Sequence, residues 1–306
     1  MNNQWITSKN LGASGGNLKK IKGEYIFQCF NILIMLIVIF LTLYPLWYVF
    51  IASFSNPIAV SRGIVIFWPS GFELASYRKV STTPFIWSSY GNTVFYSVVG
   101  TAVSMALSIM GAYPLSKRRL RGRKYIMFML LVTMWFSAGM VPTFMNFQSL
   151  GLLNKRLGVI LAFAINTFNV ILLRTFFENV PDSMEESAKI DGASDITVLT
   201  KIYLPLSIPA LATITMYYFV GRWNSYFWSM MLLNDQSKVP LQVLLRKLIV
   251  DVSYSVNESQ DRSLTALTDQ TVIYATIVVS VIPMLVLYPF IQRFFVKGIM
   301  VGAIKG

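Results

Sequence analysis

Long apolar runs separated by short polar or basic segments dominate the chain, and their lengths predict its elements. A helix rises 1.5 Å per residue, so about 20 apolar residues cross the roughly 30 Å hydrocarbon core of a bilayer with every backbone polar group bonded inside the helix. Residues 25–54, 92–116, 125–150 and 270–292 meet that requirement without a charged side chain. Residues 157–177 and 205–233 meet it with one charge each, Arg174 and Arg222. The pattern predicts an all-α integral membrane protein of about six transmembrane helices, one domain over 25–295 between tails 1–24 and 296–306. The first run is too long for a signal-peptide core and no small-residue cleavage pattern follows it, so it reads as a retained anchor.

Lysine and arginine set the orientation, because basic loops are retained on the cytoplasmic side. Lys19, Lys20 and Lys22 precede the first run, and Lys117, Arg118, Arg119, Arg121, Arg123 and Lys124 crowd between the second and third. Six spans then put both termini and the segment 178–204 in the cytoplasm, and 55–91, 151–156 and 234–269 outside.

Composition narrows the chemistry. With 306 residues, 55% of them apolar and only 13% charged, and a mean hydropathy of +0.58, the chain has lipid as its main solvent. The net charge of +13 sits between apolar runs instead of on a soluble face, so nucleic acid is not an expected partner, whereas anionic membrane lipid is. Histidine is absent and Cys29 is the single cysteine, set in an apolar run where it reads as packing. No catalytic residue, metal site or disulfide is predicted. Gly12, Gly15 and Gly16 are not followed by the Lys-Ser or Lys-Thr that a phosphate-binding loop requires, so the chain itself is expected to bind neither ATP nor Mg.

The polar segment 181–205 is the most informative. It reads Pro181-Asp182-Ser183-Met184-Glu185-Glu186-Ser187-Ala188-Lys189-Ile190-Asp191-Gly192-Ala193-Ser194-Asp195 and ends Ile202-Tyr203-Leu204-Pro205. This predicts two short helices with a bend: Ser183 and Glu186 at capping-box spacing, Gly192 in the left-handed conformation that ends a helix, and Ser194 or Asp195 capping the next. Pro205 suits the first turn of the fifth span. So polar a helix-turn-helix between two spans must lie at the membrane surface, where it can dock on a soluble partner.

Glu186-Ser187-Ala188, Gly192 and Ile202-Tyr203-Leu204-Pro205, at these spacings, resemble the EAA loop of importer-type ABC transporter permeases, with Ser187 where that family usually has alanine. The resemblance implies a type I importer fold and a coupling helix seated on a separate ATP-binding subunit, with contacts carried by Glu185, Glu186, Ala188, Asp191, Gly192 and Pro205. The stretch 142–153, the run Trp223-Asn224-Ser225-Tyr226-Phe227-Trp228, and the ending that includes Val296-Lys297-Gly298 and Val301-Gly302-Ala303 resemble the smaller permease of maltose-type carbohydrate importers. That likeness implies a bacterial plasma membrane location, an oligosaccharide cargo, a homologous second permease, two ATP-binding subunits that hold ATP and Mg, and an extracellular solute-binding protein. It also implies a C-terminal tail contact with the ATPase through Lys305 and Gly306.

Arg222, with Trp223, Asn224, Tyr226 and Trp228, has two readings. These residues line a sugar pathway, with aromatic faces on sugar rings and polar groups on hydroxyls, or they form an interfacial belt with Arg222 snorkelling to the headgroups. Asn166 and Asn169 read as helix-to-helix glue. Two alternatives to the carbohydrate importer remain: an ABC permease for a peptide, amino acid or oxyanion, and a secondary transporter driven by an ion gradient, for which the spans supply neither intramembrane carboxylates nor an evident repeat.

Overall fold

The computed structural model describes residues 14–258 and 270–289, and every regular element among them is helical. The tail residues Lys305 and Gly306 lie outside the described residues. Helix α1 (Ser14–Ser53) carries the first apolar run through Pro45, and its most apolar stretch is wholly unburied, as a lipid-facing helix requires. Cys29 on it is a free, exposed cysteine outside the buried core. Two short helices, α2 (Pro57–Ser61) and α3 (Ala75–Thr82), lead to α4 (Pro84–Ser116). Pro84 in its first turn starts α4 eight residues before the expected 92, because a fixed φ and a missing N–H suit that position.

Helix α4 is the centre of the bundle. Ser89, Thr93, Ser97, Gly100, Ser104, Ser108 and Ala112 recur every three or four residues on its buried face, and side chains this small let neighbouring helices come close. The polar groups on that face also tie the bundle together. The Thr93 hydroxyl accepts from the Leu241 N–H at 2.8 Å, the Asn92 amide donates to the Ser237 carbonyl at 2.7 Å, and the Ser108 hydroxyl lies 2.7 Å from the Tyr218 hydroxyl.

Three expected spans are broken. The run 125–150 is α5 (Arg123–Trp135) and α6 (Met140–Ser149), bent by 115° beside Gly139, whose φ is +83°. The run 157–177 is α7 (Arg156–Leu161) and α8 (Thr167–Glu178), with the Asn166 side chain capping α8. Helices α9 (Asp182–Ile190) and α10 (Asp195–Val198) form the elbow, followed by a π-turn over Leu199–Tyr203 and the single turn α11 (Leu204–Leu206). Pro205 lies in α11, not in the first turn of a span. The segment Asp195–Leu206 meets α12 (Ile208–Trp223) at 84°. After α12 come α13 (Phe227–Leu232), α14 (Leu241–Glu258) and α15 (Gln270–Pro289). Among the described helices α1, α4 and α15 are long and apolar enough to cross a membrane, and the number rises to five if each bent pair is one span. Neither α7 nor α8 alone is long enough to cross, so the fourth apolar run is not one continuous helix.

Helices α8, α12, α7 and α14 all pack on α4. The largest core joins Ala112 and Leu115 of α4, Leu173 and Phe177 of α8, and Ile214 and Tyr218 of α12 to Val198 and Tyr203 of the elbow, which fixes the elbow to the bundle.

Candidate functional site

The elbow is built by local rules. Helix α9 starts at Asp182 after Pro181, so Ser183 is inside the helix and the capping box does not form; the Ser187 hydroxyl donates to the Ser183 carbonyl instead. Gly192 has a φ of +81°, its N–H bonds to the Lys189 carbonyl and the Ala193 N–H to the Ala188 carbonyl, the paired bonds of a Schellman ending. The Ser194 hydroxyl then accepts from the Thr197 N–H and starts α10.

One face of α9 turns inward. Ala188 packs on the main core, and Glu185 is 7% exposed, with Lys117 Nζ at 2.5 Å and the Tyr203 hydroxyl at 2.9 Å from Oε2. Arg119 Nη2 stands 3.1 Å from Oε1 and bridges on to Asp195 at 3.2 Å, which Lys189 also reaches at 3.0 Å. The Lys117 ammonium lies 3.7 Å over the Tyr203 ring, a cation–π contact that helps hold it in place. Burial alone would push the Glu185 carboxyl up, but hydrogen bonds from Lys117 and Tyr203, with the charges of Lys117 and Arg119, outweigh it and hold the carboxyl below its ordinary range. Glu185 therefore ties the elbow to the end of α4.

The opposite face is bare. Glu186 and Asp191 are exposed, as are Ile190 (87%), Ile196 (75%) and Met184. The sequence reading missed these three apolar residues and the Lys117–Arg119 clamp. Ile190 and Ile196, each flanked by polar residues, were the available signal for the first, and an acidic residue three before an inward alanine for the second.

Between α4, the broken α7–α8 pair, α12 and α13 lies a cavity of about 560 Å³. Arg222 forms part of its wall. Its guanidinium donates to the Val159 carbonyl at 2.8 Å and the Ser104 hydroxyl at 3.1 Å, so it is held inside the protein and does not snorkel. Among the described residues no carboxylate pairs with it. The side chain passes over Gly100, where an added Cβ would stand 2.9 Å from it. Of the residues grouped with Arg222, Trp228 shares the cavity, and Trp223, Asn224 and Tyr226 do not line it. Trp223 is buried with its Nε1 donating to the Ser280 carbonyl, Asn224 ends α12, and Tyr226 precedes α13. Phe163, Asn166, Asn169, Tyr217 and Tyr218 line it with Arg222 and Trp228. No group of three or more metal-ligating side chains occurs among the described residues.

Broken apolar helices around a central small-faced helix, a cavity holding an arginine within the bundle, and a polar elbow clamped to one end define a multi-pass membrane transport subunit. The chain belongs to the family described as binding-protein-dependent transport system inner membrane component, whose model matches residues 107–301. It is 46% identical, over 86% of its length and 92% of the relative's, to the polygalacturonan/rhamnogalacturonan transport system permease protein YtcP of Bacillus subtilis (strain 168). It is 38% identical to protein LplC of the same organism, over 93% of this chain and 97% of that one. A crystal structure of a bacterial ABC transporter involved in the import of the acidic polysaccharide alginate contains a chain 43% identical, with a TM-score of 0.83 over 89% of this chain and 98% of that one. The chain is thus an ABC transporter permease subunit and not itself an enzyme.

Proposed function

We propose that this chain forms half of the translocation pathway of an ATP-driven importer for an acidic oligosaccharide, delivered by an extracellular binding protein, and that it couples through its elbow to a separate ATPase. The observation that carries the coupling is the two-sidedness of the elbow: Glu185 clamps one face to α4, while Met184, Ile190 and Ile196 stand bare on the other. An apolar face on a polar elbow is a docking surface for a soluble subunit, and the clamp makes the elbow move with α4. ATP and Mg belong to that subunit, since no phosphate loop occurs in this sequence. The clamp also brings the elbow to the basic run from Lys117 to Lys124, so the positive-inside rule puts both on the cytoplasmic side. A single permease walls only half of a two-fold pathway, and a homologous second permease completes it. An acidic saccharide fits the relatives that transport polygalacturonan and alginate, and it fits an intramembrane Arg222 without a carboxylate partner among the described residues.

The test is uptake in proteoliposomes that contain this chain, its partner permease, the ATPase and the binding protein. Gly192→Pro, which can neither reach a φ of +81° nor donate to the Lys189 carbonyl, is expected to deform the elbow and abolish uptake; unchanged uptake would remove the coupling reading.

A further inference from the structure

The fourth apolar run is broken where a membrane helix has most to lose. Residues 162–166 leave the helix between α7 and α8. Irregular backbone at membrane depth is stable where it is buried in protein or lines a polar cavity, and here Phe163 and Asn166 line the cavity.

Two further features fall at the same break. Phe163 has a φ of +54°, a left-handed conformation that costs a bulky residue about 1–3 kcal/mol and persists where the surroundings impose it. Its ring thereby stands 5.3 Å from the ring of Trp228 at an angle of 50°, with the Phe147 ring packed against both, and Phe163 and Trp228 also line the cavity. One turn further, Asn169 is 5% exposed and lines the same cavity. Its backbone N–H bonds to Asn166, but its side-chain amide makes no hydrogen bond among the described residues. The amide is not among the polar atoms shut off from solvent, so it opens onto a space large enough to hold a partner.

We infer that the α7–α8 break is a saccharide subsite within this chain, with Trp228 and Phe163 meeting the apolar face of one sugar ring and the Asn169 amide bonding its hydroxyls. This rests on the reading of the chain as a saccharide permease. Apolar C–H faces of sugars pack on aromatic rings, and an amide offers a donor and an acceptor to adjacent hydroxyls. Arg222, across the cavity, is placed to receive a carboxylate on the same or the next ring. Asn169 is then a ligand group and not the helix glue its spacing suggested.

The complete transporter in proteoliposomes tests this with a panel of labelled acidic and neutral oligosaccharides at saturating binding protein. Trp228→Ala is expected to lower the uptake rate about tenfold and Asn169→Ala about fivefold, while Trp228→Phe, which keeps an aromatic face, stays within about twofold of wild type. A second measurement reads occupancy directly: in Cys29→Ser/Trp228→Cys, saturating saccharide slows alkylation of the new thiol several-fold. Uptake equal in all variants, or alkylation indifferent to saccharide, overturns the subsite and leaves the permease reading standing. A wild-type complex that takes up no oligosaccharide overturns both.

Discussion

Glu185 lies where two opposing forces meet, burial that favours its neutral form and a cluster of cations that favours its charge, and the cations prevail. The folded chain therefore releases this proton more readily than the unfolded one. The stabilisation is complete above the ordinary value of 4.5 and is lost as the pH falls from there through the lower folded value. Thermal unfolding of the solubilised complex, followed from about pH 6 to about pH 3, should show a steeper acid fall in wild type than in Glu185→Gln; equal slopes would place the acid sensitivity elsewhere. At neutral pH, Glu185→Ala leaves Lys117 buried without its counter-ion and should destabilise by about 3 kcal/mol, read as a lowered Tm. Gly100 makes a second residue-scale test. A methyl there must displace an arginine held by two hydrogen bonds, so Gly100→Ala is expected to destabilise by about 1–3 kcal/mol in thermal unfolding, where a glycine facing open space would gain from the change.

At the scale of elements, the sequence makes the helices legible and hides their breaks. The apolar runs at 25–54 and 92–116 appear as α1 and α4 because composition alone fixes a membrane helix. The break at 162–166 reads Ala162-Phe163-Ala164-Ile165-Asn166, with no glycine, proline or charge, so hydropathy runs through it without a mark; only the capping side chain of Asn166 hints at it. Gly139 and Pro209 were visible signals for the other two bends. The elbow was readable at Gly192 and Ser194 because cap chemistry is local, whereas Glu185 turning inward depends on Lys117 and Arg119, nearly 70 residues earlier in the chain. For the same reason only part of the group around Arg222 meets at the cavity. Trp228 lines it, Trp223 bonds to Ser280 instead, and much of the wall comes from α7–α8. The bare face of the elbow yields a further prediction. Ile190→Asp with Ile196→Asp should leave folding intact, since both side chains are exposed, and should reduce co-purification of the ATPase at least tenfold; unchanged co-purification would remove these residues from the contact.

At the scale of the whole molecule, the bundle is asymmetric. Helix α1 buries none of its most apolar stretch and α5 and α6 bury no residue, whereas α4, α8 and α12 carry the core that holds the elbow. The exposed helices suit lipid and a second permease, and the packed ones form a rigid lever from the elbow to the cavity. Under the proposed function, force enters at the elbow from a separate ATPase. The most direct test is therefore the energy source of transport. In proteoliposomes with the partner permease, ATPase and binding protein, an acidic oligosaccharide should accumulate when ATP is supplied, stop when ATP is omitted, and be indifferent to collapse of proton and sodium gradients. Uptake that continues without ATP and fails when an ion gradient is dissipated would contradict the account at its centre.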